Sequence, residues 1–212
     1  MNFDLYVDTS RKGISAAIAG SDGSYMEIVD TGAKGETLSA SLDSLLQRAG
    51  ASLDDVKRVM VTVGPGSFSG LRTGVAFCQG ICFSGKRELF GVTTLQALEC
   101  FGKQGEKTAV VIRARNGYWY LRLDENESFI ETSEVVEKMK ASNAAAAIKS
   151  IVADEAAQAD ETLKVLFEEI GANVTLDTGK PLCCWAPLFE SVKPSLIQEA
   201  NYIQPSYFEK LK

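Results

Sequence analysis

Two short stretches of this chain carry residue types able to handle a phosphate. The first is Asp8-Thr9-Ser10, which ends an apolar run and is followed by Arg11, Lys12 and Gly13. In a phosphate-binding hairpin such an acid holds a hydrated metal ion while hydroxyls and backbone amides meet phosphate oxygens. The same residues also serve an ordinary polar β-turn. The second stretch is Gly64-Pro65-Gly66-Ser67-Phe68-Ser69-Gly70, between a strand-like run and a helical one. Such a loop can turn its amides toward an anion at the start of the helix, or it can simply turn the chain sharply while Phe68 plugs a gap. The candidate ligand residues are therefore Asp8, Thr9, Ser10, Gly64, Gly66 and Ser67.

The rest of the sequence narrows the chemistry. There is no histidine, which removes the usual base of Ser-His and Cys-His sites and the commonest zinc or iron ligand. Asp54, Asp55, Glu168 and Glu169 read as solvated charges, and no carboxylate pair has a spacing that demands acid-base work. The five cysteines are an odd number, and Cys78 and Cys82 lie in an apolar run, as small core hydrophobes do in a reducing compartment. A formal net charge of −6 argues against a large phosphate-binding surface, so any RNA would be held by a partner.

The elements that must position these residues follow from periodicity. Strands are expected over 3–7, 14–19 and 24–31, with a turn at Ser21, Asp22 and Gly23. Leu38, Leu42, Leu45, Leu46 and Ala49 recur at helical spacing over 36–49, and Gly50 stands where a helix stops. A strand over 58–63, the glycine-rich loop, a helix over 71–84, a strand over 89–92 and a helix over 94–101 complete one βββαβα pass. A second begins with strands over 108–112 and 118–123 around an Asn116-Gly117 turn, then a strand near Phe129, a helix over 133–140, a strand over 148–153 and a helix over 158–170. The span 179–195 has no assigned element.

Two such passes suggest a duplicated fold: an α/β, two-lobed actin-like ATPase (ASKHA, ribonuclease H-like) architecture, with two unrelated α/β lobes as the plainer alternative. The lobes are expected at 1–104 and 105–212, the second smaller and degenerate, with a last helix able to pack back on the first. Where the second lobe of an active member would supply another acid, Arg113 and Arg115 stand in ARNGYWY. A metal-nucleotide site would then lack half its electrostatics. With 45% apolar residues the chain can bury a core. It has no run of about 20 apolar residues and no secretory start, so a cytoplasmic, non-membrane protein is expected.

The helix LRTGVAFCQGICFS has few polar residues. Leu71, Val75, Cys78 and Cys82 can face the sheet, while Arg72, Ala76, Gln79 and Phe83 lie on another side. Cover for that side is expected either from the chain itself or from another subunit, and Gly74 and Gly80 would let a second helix approach closely.

LYVDTS near the start and GPGSFSGLRTG after it, with GVTTLQALE at 91–99, resemble the TsaB (YeaZ) family; the likeness extends weakly into RNGYWYLRL and the ending QPSYF. This resemblance implies a non-catalytic relative of the subunit TsaD, working with TsaD and the ATPase TsaE to install threonylcarbamoyl on an adenosine of transfer RNA. It implies pairing with the TsaD-like protein, or self-pairing, through the helices near 36–49 and 71–84, which puts Leu42, Leu45, Arg72, Val75, Ala76, Gln79 and Phe83 at a partner interface. Transfer RNA would be met only indirectly. No cofactor is assigned; ATP or ADP is the ligand the fold would suggest. Two departures count against it: Gly35, Glu36, Thr37 and Leu38 stand where relatives often carry a histidine, and Arg113 stands where they often have an acid. The competing reading is an enzyme, either a small-molecule kinase or ATPase of the same superfold or a peptidase.

Overall fold

A computed structural model of the chain describes residues 2–32 and 37–203. Strands β1 (Phe3–Asp8), β2 (Ile14–Gly20) and β3 (Tyr25–Asp30) form the expected meander, followed by α1 (Leu38–Arg48), β4 (Val56–Thr62), α2 (Phe68–Cys82) and β5 (Glu88–Val92). Helix α3 (Thr94–Glu99) leads to β6 (Thr108–Arg115), β7 (Tyr118–Leu123), β8 (Asn126–Glu131), α4 (Thr132–Ala145), β9 (Ser150–Ala153), α5 (Glu155–Ala159), α6 (Glu161–Ile170), β10 (Asn173–Leu176) and α7 (Leu188–Ser191). Gly35 and Glu36 of the histidine comparison, and the ending 204–208, lie outside the described residues.

The chain divides into two compact units: Met1–Thr94 with Pro181–Tyr202, and one built on Leu95–Lys180. In the first, the sheet order is β3-β2-β1-β4-β5, with β2 antiparallel to β1 and to β3, and β4 parallel to β1 and to β5. In the second the order is β10-β9-β6-β7-β8 with the same directions, so β6, β7, β8, β9 and β10 repeat β1, β2, β3, β4 and β5. This repetition, a three-strand meander followed by two parallel crossovers, is the actin-like, ribonuclease H-like plan.

Strand alternation builds the first unit in layers. Leu5, Val7, Val59, Val61 and Leu89 turn to one face of the sheet, where Leu38, Leu42, Leu45 and Leu46 of α1 and Val75, Cys78 and Cys82 of α2 close over them. Tyr6 and Phe90 turn to the other face and meet the C-terminal segment: Phe189 lies 5.6 Å from Tyr6 and 4.9 Å from Phe90, centroid to centroid, and Trp185 packs edge-on to Tyr6. The unassigned span 179–195 thus contains a short 3-10 turn, Leu182–Trp185, and α7, which together cover a sheet face. Arg58 holds Asp4 through two bonds of 2.8 and 2.6 Å and lies 4.2 Å over the Phe189 ring, fastening that layer.

In the second unit Trp119, Leu121, Ile130, Val135, Met139, Leu163, Leu166 and Phe167 share a core. The single helix expected over 158–170 is two helices. The Asp154 side chain caps α5 through Ala157 N, and Asp160 ends α5 and caps α6 by accepting from the N–H groups of Thr162 and Leu163 at 3.1 Å. Gly171 closes α6 in the left-handed conformation at φ 69°. Strand β10, absent from the sequence-based expectation, follows; it is four residues long, and Val174 and Leu176 keep more than a third of their surface exposed. None of the five cysteines is in a disulfide, and burial raises the thiol pKa of Cys78 and pushes that of Cys82 up to about 11. No helix among the described residues is long and apolar enough to cross a membrane.

Candidate functional site

The two candidate stretches meet at the carboxyl ends of the parallel strands β1 and β4, where ligands settle in open α/β sheets. Asp8, Thr9 and Ser10 are all buried, and Asp8 is only 5% exposed. One oxygen of Asp8, Oδ1, accepts from Ser10 N at 2.9 Å, Ser10 Oγ at 2.6 Å and Thr62 Oγ1 at 2.8 Å. Its other oxygen faces Arg11 at 3.5 Å. A carboxylate so used locks a turn, because the polar side chain satisfies backbone and hydroxyl donors that burial has cut off from water. Thr62 was not among the sequence-derived candidates; a threonine closing the apolar strand VKRVMVT is the signal that could have found it.

The glycines of the second stretch are explained by what lies against them. A Cβ on Gly66 would stand 2.1 Å from the Ser10 carbonyl oxygen, one on Gly70 2.1 Å from the Thr9 carbonyl oxygen, and one on Gly74 2.1 Å from Thr9 Oγ1. Ser67 N donates to the Ser10 carbonyl, and the Ser67 hydroxyl accepts from Gly70 N at the helix N-cap. Gly64, at φ 117°, would carry a Cβ 2.1 Å from the Asn201 carbonyl oxygen. The glycine row therefore lets the Asp8–Ser10 backbone and the C-terminal segment seat directly on the loop and on α2. Gly74, expected to admit a foreign helix, instead admits Thr9 of the same unit. Gly80 does face open space, with nothing within 4 Å of an added Cβ.

Much of this donor set is engaged within the chain. Oδ1 of Asp8 is filled by its own neighbours while Oδ2 meets Arg11 at 3.5 Å, and the Ser67 and Gly70 amides donate within the chain. Thr9 Oγ1 and Thr94 Oγ1 are buried hydroxyls without a hydrogen-bond partner, and Thr9 is packed too tightly against Gly74 to admit a ligand between them. No group of three or more His, Cys, Asp and Glu side chains able to hold a metal ion occurs among the described residues.

At the corresponding place in the second unit, the end of β6 carries Arg113 and Arg115. Arg113 N donates to Asp154 Oδ2 at 2.7 Å, and its guanidinium donates to Asn116 Oδ1 at 2.8 Å. The Arg115 guanidinium lies 4.3 Å from the Tyr118 ring centroid, and Tyr118 stacks on Phe129 at 5.0 Å. Here the Asn-Gly hairpin is built on cation-aromatic contacts.

The residues assigned to a partner interface separate into two sets. Leu42, Leu45 and Val75 point into the core beneath the sheet, which corrects their expected placement: at helical spacing they share the stripe of α1 and α2 that the unit itself needs for burial. Arg72, Ala76 and Phe83 do lie on the outer side of α2, where Phe83 is 79% exposed and Phe68, one helical turn before Arg72, is 59% exposed. Gln79 is half-buried and donates to the Gln198 carbonyl at 3.0 Å. The helix is thus apolar on both sides, one facing its own sheet and one facing outward.

Comparison with known proteins agrees with the fold. The family described as TsaD, tRNA N6-adenosine threonylcarbamoyltransferase, matches residues 33–180. The tRNA threonylcarbamoyladenosine biosynthesis protein TsaB of Buchnera aphidicola subsp. Schizaphis graminum is 31% identical over 113 residues, covering 47% of this chain and 54% of that protein. The protein of the same name from Escherichia coli K12 is 35% identical over 92 residues, 40% of this chain and 39% of that protein. The alignments therefore span about half and about two fifths of these relatives' lengths. A Pseudomonas aeruginosa protein described as similar to the peptidase YeaZ superposes with a TM-score of 0.68 at 20% identity, covering 96% of this chain and 100% of the other, and shares its fold. Family match and duplicated topology agree: the chain belongs to the family described as TsaD, tRNA N6-adenosine threonylcarbamoyltransferase.

Proposed function

We propose that the chain is a non-catalytic subunit for threonylcarbamoyl modification of transfer RNA adenosine, acting in the cytoplasm by supporting a TsaD-like catalytic subunit together with a TsaE-like ATPase, and meeting transfer RNA only through them. The observation that carries this reading is the spent carboxylate of Asp8, closed by Ser10 and Thr62 at the one place where the first unit has an acid in a phosphate turn. The matching strand end of the second unit bears Arg113. The second of the two acids that would hold a metal-bound phosphate is thereby replaced by a cation, and the first has one oxygen engaged by its neighbours. The outward side of α2, with Arg72, Ala76 and Phe83, supplies the docking surface.

Reconstitution tests it. Threonylcarbamoyl transfer to transfer RNA by purified TsaD-like and TsaE-like proteins is expected to require this chain, and to persist when Asp8→Asn is used in its place. Phe83→Asp is expected to remove the requirement's fulfilment by abolishing pairing. Vigorous ATP turnover by the pure chain, lost on Asp8→Ala, would show the reading to be wrong.

A further inference from the structure

Four strands stand at sheet edges among the described residues: β3 and β5 in the first unit, β8 and β10 in the second. Three of them are guarded. β3 carries Glu27 and Asp30, β8 carries Glu127 and Glu131, and charge on an edge strand opposes pairing with a further strand. β5 is met by Ser195, whose N–H donates to the Leu89 carbonyl at 2.8 Å. β10, Asn-Val-Thr-Leu, bears no charge.

The open side of β10 follows from its bonded side. Asn173 N donates to the Lys149 carbonyl and Asp177 N to the Ala153 carbonyl, so residues 173, 175 and 177 turn their backbone groups to β9. In a parallel ladder the alternate residues turn theirs the other way. The N–H and C=O groups of Val174 and Leu176 therefore point away from the sheet. The side chains of the same two residues are 38% and 40% exposed. Register pairs them with Ile151 and Ala153, which share the core with Leu163, Leu166 and Phe167, so they lie on the sheet face that α6 covers. A groove of about 390 Å³ is lined there by Val174 together with Lys164, Phe167 and Glu168 of α6.

We propose that β10 is an edge for self-association, to which a second copy of this chain adds its own β10 antiparallel about a two-fold axis through Thr175. Two features select a second copy over another strand. The first is the backbone. Pairing about Thr175 sets Val174 opposite Leu176 of the partner subunit and Leu176 opposite the partner's Val174, where outward-facing residues exchange both hydrogen bonds. Each open group of the two residues is then used. The second feature is charge. Helix α6 ends at Ile170, and the chain turns through Gly171 and Ala172 into β10, so helix and strand run in opposite directions side by side. At about 1.5 Å per residue in a helix and about 3.3 Å in a strand, Thr175 stands level with the middle of α6, near Leu166. Lys164 and Glu168 lie on either side of that level and on one wall of the groove. The same axis therefore brings Lys164 of each copy to Glu168 of the other. A two-fold contact needs a patch that carries its own complement, and this one does. The contact is independent of α2, which belongs to the other unit.

Sedimentation equilibrium of the full-length chain tests this, with circular dichroism confirming the fold of each variant. A monomer–dimer equilibrium is expected, unchanged by Phe83→Asp. Lys164→Glu and Glu168→Lys each set like charges across the axis and are expected to weaken the dimer about tenfold. The double variant restores opposite charges and is expected to recover it. Mixing the two single variants is expected to give a mixed dimer tighter than either forms with itself, because one then presents only acids at these positions and the other only lysines. Val174→Pro removes an outward N–H while leaving the β9 ladder its bonds, and is expected to abolish pairing. A chain that stays monomeric up to millimolar concentration overturns the proposal. So does a dimer lost with Phe83→Asp and indifferent to both charge reversals, which would place self-pairing on α2. Weakening by both single reversals without recovery in the double variant overturns it as well.

Discussion

The ends of β1 and β6 occupy the same position in two copies of one topology, and they solve the same problem with a carboxylate placed on different strands. In the first unit the acid sits on the strand end itself: Asp8 gathers Ser10 and, from the neighbouring parallel strand, Thr62. In the second unit the strand end bears Arg113, and the acid has moved to the neighbour, where Asp154 follows β9, accepts the Arg113 amide and caps α5. Either arrangement satisfies the backbone donors exposed where two parallel strands end. The difference lies in depth. The first crossing is buried under a glycine row, so its geometry tolerates no added atoms, while the second is solvated and rests on a surface hairpin.

The contrast can be broken at its strongest point with Gly70→Ala. Its Cβ meets the Thr9 carbonyl, and a loss of about 3 kcal/mol is expected from overpacking. Amide exchange within the first unit would read this loss, and Gly80→Ala, which meets nothing, should gain about 0.5–1 kcal/mol from helix propensity. Equal effects at the two glycines would dismiss the seating of Thr9 on α2. Asp8→Ala comes next: it strands the Thr62 hydroxyl and the Ser10 amide in the interior, at about 2 kcal/mol by denaturant unfolding. Asp154→Ala removes a helix cap and one amide acceptor near the surface and should cost about 1 kcal/mol, with protection lost in α5. If it cost as much as Asp8→Ala, the claim of unequal depth would be untenable. Smallest is Arg115→Ala, about 0.5 kcal/mol for an exposed cation-aromatic contact, detectable as a change in Tyr118 ring shifts by NMR.

Much of the fold was legible because burial imposes periodicity. Leu38, Leu42, Leu45 and Leu46 mark α1, whose one apolar face lies in the core, and near-continuous apolar runs mark β1 and β4, which are covered on both faces. Strand β10 escaped because four residues are too few to establish a period, and the break between α5 and α6 escaped because Asp160 serves at once as the end of one helix and the cap of the next. The candidate site was legible as a list of residue types and wrong in part of its geometry. Leu42, Leu45 and Val75 were assigned to a partner interface, but α1 has a single apolar stripe that its own sheet takes, and on α2, apolar on more than one side, hydropathy cannot say which side belongs to the sheet.

Composition and local pattern determined on their own that histidine chemistry is absent, that a βββαβα pass occurs twice, and that two polar stretches flank the first parallel crossing. These are properties of residue identity and short-range spacing, which a linear string carries in full. Tertiary structure alone decided that Asp8 is spent on Ser10 and Thr62, that the glycines are small for the sake of Thr9, Ser10 and Asn201, and that the segment 181–202 returns to the first unit. Each of these depends on contacts between residues far apart in the chain, where side-chain volume and hydrogen-bond geometry select the partner and no local propensity does.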